Sequence, residues 1–242
     1  MGIRNWLFGK KGRGPEIVGR SEGGSRLLKY GGENFDAPEI GVTDQSTAID
    51  SGERERIYEQ MFGTIDSVHH EVIPFVPHID VYQFAPTTQR PFITYVTGGM
   101  SDVAMNSPAE LGPGFRRIEL VFYTSEDRPD FVNVLRKLAH FPHDHRTWIH
   151  WGHTMPNGTP PAALFGTSQL DSLFFMPSIV SPDSTLDQRL SWRDEPVKLV
   201  WCVPITTAEC NLKLERGSDA IYDLFQEHQH PFIFTGDRAS YV

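Results

Sequence analysis

The stretch HFPHDHRTWIHWGHT, residues 140–154, carries five of the chain's ten histidines: His140, His143, His145, His150 and His153. Imidazoles at this density suit two kinds of chemistry, transition-metal binding and acid/base catalysis. A catalytic zinc needs three or four ligands converging on one point, with N or O atoms about 2.0–2.2 Å from the metal. His143 and His145 have the H-x-H spacing around Asp144, while His150 and His153 flank a segment that reads as a strand. Residues three apart on a strand face opposite sides, so those two should not share an ion. The further Asp of an H-x-H-x-D-H motif and the helix of H-E-x-x-H are both missing. One reading left standing is a metal-dependent hydrolase built on His140–His153. Its rival is structural: half-buried imidazoles bonded to backbone at a sheet edge.

Nucleophiles are harder to find. In TGGMSD, residues 97–102, a G-x-S-x-G elbow would need glycine where Val103 stands. A Ser101, Asp102, His153 trio can be written down, but a triad is defined by geometry. The same residues read more simply as a strand ending in a turn. There Gly98 and Gly99 permit positive φ, and Ser101 or Asp102 satisfies free backbone N–H groups. Cys202 and Cys210 form no C-x-x-C pair and are too few for a disulfide framework or a four-cysteine zinc site.

The elements that must position these residues follow from periodicity. Ile57, Met61 and Ile65 recur at helical spacing over 54–65. Strands are expected in HIDVYQFAP, PFITYVTGG and GFRRIELVFYT. The last of these puts Ile118, Leu120 and Phe122 on one face and Val121 and Tyr123 on the other, which requires cover on both sides of a sheet. FVNVLRKLAHF forms a helix along Phe131, Leu135 and Leu138, with Ser125 or Asp127 as its N-cap and Pro142 as its stop. Further strands fit TWIHWGH, DSLFFMP and VKLVWCVPIT, and closing helices fit AECNLKLER and SDAIYDLFQEHQ. The order predicts an α+β fold, a mixed and largely antiparallel sheet flanked by helices.

A chain of 242 residues with 39% hydrophobic content can bury one large core. No run of eighteen apolar residues and no signal-type apolar region is present, so the expectation is a cytoplasmic protein without integral membrane association. The net charge is −9, and residues 1–29 hold seven Lys or Arg against two Glu, leaving −14 for the remainder. That body repels nucleic acid. Residues 1–50 read as a flexible, basic, Gly/Ser-rich lead-in, and residues 51–242 as a single domain. Trp6, Leu7 and Phe8 beside Lys10 and Lys11 give at most marginal contact with an anionic membrane.

Taken in order, YVTGGMSDVAM, RRIELVFYT, LRKLAHFP, WIHWGHTMPNG, VKLVWCVPITTAEC and FIFTGDR resemble the suppressor of fused (SUFU) family over residues 55–242. The markers are Gly98, Gly99, Ser101, Asp102, Gly152, His153, Asp237 and Arg238. The chain is most similar to bacterial single-domain members, since nothing like the second domain of the animal proteins follows Val242. The resemblance implies an α/β sandwich that binds proteins without catalysis, cofactor or metal. It further implies an immunity protein that neutralises a toxin by covering it. The peptide cleft of animal members matches Phe141 and Gly152–His153 here, with Gly152 standing where they carry an acidic residue. Phe141, His143, His145, Trp151 and His153 are therefore the candidate partner-binding residues, as large amphipathic rings anchor many interfaces. The acidic body favours a basic toxin as the partner. Asp237 or Arg238 is expected to tie the tail into the fold through a charge-assisted hydrogen bond.

Overall fold

Residues 16–20, 26–29, 48–72 and 75–242 are described by a computed structural model. In chain order the strands and helices are β1 (Glu16–Arg20), β2 (Arg26–Lys29), α1 (Ser51–Phe62), β3 (Ile65–His69), β4 (Asp80–Phe84), β5 (Ile93–Gly98) and β6 (Ile118–Thr124). They continue as α2 (Pro129–Asp144), β7 (Thr154–Pro156), β8 (Leu170–Pro177), β9 (Ser191–Trp192), β10 (Glu195–Pro196), β11 (Lys198–Thr206), α3 (Thr207–Arg216) and α4 (Ser218–Glu227). Seven strands form one sheet in the order β3-β4-β5-β6-β11-β8-β7. Each neighbouring pair is antiparallel except β6 with β11, whose parallel register sets Val200 beside Leu120.

Alternation along β6 divides the interior in two. Ile118, Leu120 and Phe122 join Phe131, Leu135 and Leu138 of α2 in one apolar cluster. Val121 and Tyr123 join Ile57, Tyr58, Met61 and Phe62 of α1 in the other, together with Cys210 of α3 and Ile221 of α4. The sheet is thus covered on both faces, as its doubly apolar strands require. Each fully buried Leu or Phe contributes roughly 1.5–3 kcal/mol through area removed from water. The α+β class with a mixed, largely antiparallel sheet is the one observed.

Four local features depart from expectation. Pro142 lies within α2, which continues to Asp144. So close to the helix end its missing N–H costs one bond, and His145 N–H still reaches the Phe141 carbonyl at 3.0 Å. Arg128, followed by Pro129, occupies the N-cap of that helix; Asp127 instead accepts from the Tyr95 hydroxyl at 2.7 Å. The segment TWIHWGH is not a strand, because Arg146 (φ 50°) and Gly152 (φ 80°) turn the backbone out of the extended region. Extension resumes only at Thr154.

The fourth departure concerns the N-terminal stretch. β1 and β2, within the expected lead-in, pair antiparallel as a separate two-stranded ladder. The rest of the lead-in reading, including the Trp6–Lys11 cluster, lies outside the described residues. Ile49 is buried and Asp50 caps α1 by accepting from the Glu53 N–H, so the packed body takes in residues just before 51. No helix among the described residues is long and apolar enough to cross a membrane.

Candidate functional site

The five histidines of residues 140–153 disperse. His140, on α2, sets Nε2 2.7 Å from Glu71 Oε1. His143, one turn on, sets Nε2 3.2 Å from the Met100 carbonyl oxygen, and burial pushes its imidazole down to about 4, so it is neutral at physiological pH. The His145 ring is buried against Phe141, with centroids 4.5 Å apart. His145 is thus buried at the C-terminal turn of α2, while His143 keeps partial exposure. His150 meets Phe115 edge-to-face at 4.3 Å, and His153 lies edge-on to Trp148 at 5.7 Å. Because the segment turns rather than extends, the His150 and His153 rings lie 6.0 Å apart and do not point to opposite faces of a sheet. Among the described residues no group of three or more His, Cys, Asp or Glu side chains is placed to hold a metal ion.

What the segment builds is a patch of half-buried rings. Phe115, Trp148, His150, Trp151 and His153 all retain partial exposure, and Lys198 sits 5.8 Å from the ring centres of both Phe115 and Trp151. Beneath Trp151 lies a cavity of about 60 Å³ whose polar lining includes Ser178, Ser184, Asp187 and Lys198. Lys198 and Asp187 pair there. The backbone holds the patch rigidly, with Gly152 N–H donating to the Phe175 carbonyl at 2.7 Å and Phe175 N–H to the His153 carbonyl at 3.0 Å. Gly152 is required here: its φ is +80°, and a Cβ would meet the Ser218 Oγ of α4 at 2.6 Å. Of the five candidate partner-binding residues, Trp151 and His153 lie on this patch, Phe141 and His145 are buried, and His143 is half-buried with its Nε2 on the Met100 carbonyl. Phe115, 33 or more residues from the other rings of the patch in sequence, gave no signal of its place beside them.

The TGGMSD turn proves to be a separate, closed network. Glu119 on β6 is fully buried and accepts from Thr97 Oγ1 (2.7 Å), Gly99 N–H (3.1 Å), Ser101 N–H (3.0 Å) and the Ser101 hydroxyl (2.6 Å). The acceptor for the turn is therefore Glu119, while Ser101 is a donor. Asp102 accepts from the Ile49 N–H at 3.1 Å and pairs with Arg54 of α1. Arg117 donates to the Ser101 and Asp102 carbonyls at 2.6 and 3.0 Å. Ser101 and Asp102 are thus committed to partners other than His153, and a hydroxyl bonded to a carboxylate in the core does not meet substrate. The thiols fare no better, since burial pushes both Cys202 and Cys210 up and away from thiolate. Arg54, Arg117 and Glu119 were not singled out from sequence, although a lone carboxylate inside the apolar run IELVFYT is a signal for such a site.

At the C-terminal end, Arg238 forks onto Glu209 of α3 with Nη1–Oε1 and Nη2–Oε2 distances of 2.6 and 2.8 Å. Glu209 has no exposed surface and also closes the capping box of α3 with Thr206. Asp237 accepts from the Ser168 backbone and hydroxyl at an exposed position. Both charged residues therefore hold the tail to the body.

A family model described as Suppressor of fused protein (SUFU) matches residues 76–239. The chain belongs to the suppressor of fused family. Solved structures agree on the fold of this suppressor of fused domain. A protein described as a SUFU homolog from Neisseria gonorrhoeae FA 1090 is 15% identical, with 79% of this chain covering 93% of that one at a TM-score of 0.55. The Sufu–Fu complex contributes a chain 14% identical, with 78% of this chain covering 89% of that one at a TM-score of 0.50. No curated protein matches the chain.

Proposed function

We propose that this suppressor of fused domain is a non-catalytic protein-binding module, and that its contact face includes Trp151 and His153. The observation that carries the reading is the patch of half-buried rings around Trp151, held on a backbone pinned between β8 and α4. Such rings bury much area on contact and lose little conformational freedom, which is how interface anchors work. Membership of a family in which one protein has been seen bound to another, Sufu with Fu, points the same way.

The partner we infer is a basic protein. A chain of net charge −9 attracts one electrostatically, and complementary charge speeds encounter. Toxin neutralisation in the cytoplasm is our specific form of this proposal: an acidic domain covering a basic toxin as its immunity protein. The test is co-expression of the untagged chain with the tagged product of the adjacent reading frame. The expected result is a stoichiometric complex that persists in EDTA and suppresses the partner's toxicity. A partner that elutes alone, or a complex that dissolves on chelation, contradicts the proposal.

A further inference from the structure

The two parallel strands at the centre of the sheet separate past Val121 and Trp201, where their register ends. β6 continues to Thr124 and β11 to Thr206, so a wedge opens between them. Pro204 sits on the diverging part of β11, and its carbonyl oxygen faces Arg238 of the tail at 3.4 Å. A proline has no N–H for a neighbouring strand and is tolerated where pairing is incomplete.

The chain's own C-terminal segment enters this wedge. Phe234 N–H donates to the Tyr123 carbonyl at 2.8 Å, and Ser125 N–H donates to the Phe234 carbonyl at 3.0 Å, the slanted exchange of a parallel bridge. The Phe234 ring packs 5.5 to 5.7 Å from the rings of Phe122, Phe165 and Phe131. Four residues later Arg238 reaches Glu209, and the Tyr241 N–H donates to the same carboxylate at 3.0 Å. The filling is incomplete: a cavity of about 50 Å³ remains between the tail and Trp201, Cys202 and Val203.

We propose that the wedge between β6 and β11 is a binding site for an extended peptide, that residues 231–241 occupy it as a built-in ligand, and that a partner segment with an aromatic residue four positions before an arginine displaces them. Each recognising group serves any chain of that chemistry: the Tyr123 carbonyl, the Ser125 N–H, the aromatic pocket and the Glu209 carboxylate. Strand addition of this kind takes affinity from the backbone and specificity from the side-chain pockets. The tail is held by one bridged residue, the Phe234 ring, the Arg238–Glu209 pair and hydrogen bonds of Asp237, Ser240 and Tyr241 to Ser168, Thr206 and Glu209, and its advantage over a free peptide is the high effective concentration of a tethered segment. This site is separate from the ring patch and stands whether or not that patch binds a partner.

A fluorescein-labelled peptide, PFIFTGDRASYV (residues 231–242), tests it by anisotropy against two full-length proteins, the wild type and a Phe234→Ala, Arg238→Ala double variant. Saturable binding to the variant is expected, with the wild type weaker by about ten-fold or more because its own tail competes. A peptide carrying the same two changes should not bind. A folded variant that leaves the peptide free, or equal binding by both proteins, overturns the proposal. Should the variant lose its near-UV circular dichroism, hydrogen exchange on the wild type decides. Faster exchange of the Phe234 and Ser125 amides than of Phe122 and Val203 supports a tail that opens by itself, and exchange at one common rate overturns it.

Discussion

Burying a carboxylate is costly unless donors surround it, and Glu119 is met by four. Replacing it with alanine strands at least two buried N–H or O–H groups, at about 1–3 kcal/mol each. Glu119→Ala should therefore lose roughly 3 kcal/mol or more in urea unfolding. Glu119→Gln should lose less, because its amide oxygen still accepts from Gly99 and Ser101. Gly99 obeys a harder constraint: its φ is +106°, and a Cβ would lie 1.9 Å from the His78 carbonyl oxygen. Gly99→Ala should fail to give folded protein, whereas Gly112→Ala, at φ +72° with open space around it, should cost about 1–2 kcal/mol. The turn itself was legible in TGGMSD, since paired glycines after an apolar alternation announce it. Its acceptor was not, because Glu119 arrives from the next strand and Arg54 from a helix 48 residues upstream.

Among the elements, the C-terminal strap is the one most exposed to acid. Burial, aided by the positive charge of Arg238, pushes His230 down to about 4; its ring stacks on Phe225 at 4.1 Å and its Nδ1 lies 2.9 Å from the Tyr241 hydroxyl. His143 behaves alike. An imidazole whose folded value is depressed contributes stability above its unfolded value of 6.5, and that contribution is lost as pH falls toward about 4. Glu209, which burial pushes up but Arg238 and its backbone donors hold below its usual range, adds a loss of the same sign at still lower pH. Tm should accordingly fall between pH 7 and pH 5, and a His230→Phe variant should show a shallower fall in the same melts.

The strap's two charged residues should separate in thermal melts. Arg238→Ala leaves buried Glu209 without its guanidinium and should cost about 3 kcal/mol. Asp237→Ala, at the exposed end, should leave the melt nearly unchanged. Elements were read best where alternation was strong, as in β6 and the stripe of α2. They were read worst where single backbone angles decide, as at Arg146 and Gly152, which turn an expected strand into the platform for Trp151. Insertion of Phe234 beside Thr124, 110 positions earlier, leaves no local trace in the sequence.

For the molecule as a whole, the ordered motifs carried the family assignment while the histidine density pointed toward a chemistry that the fold disperses. Rings that looked like metal ligands are spread over a helix end and a turning loop, with His140 on Glu71, His143 on the Met100 carbonyl and His145 buried against Phe141. Interfaces built on a few anchors lose most of their affinity when those anchors are truncated. The most direct measurement is therefore calorimetric titration of the co-expressed partner with wild type and with a Trp151→Ala, His153→Ala double variant, each checked for an unchanged melt. The double variant is expected to weaken Kd by about thirty-fold or more, the effect of losing about 2 kcal/mol or more at a hot spot. A folded double variant that binds with wild-type Kd would contradict it and place the contact face elsewhere on the domain.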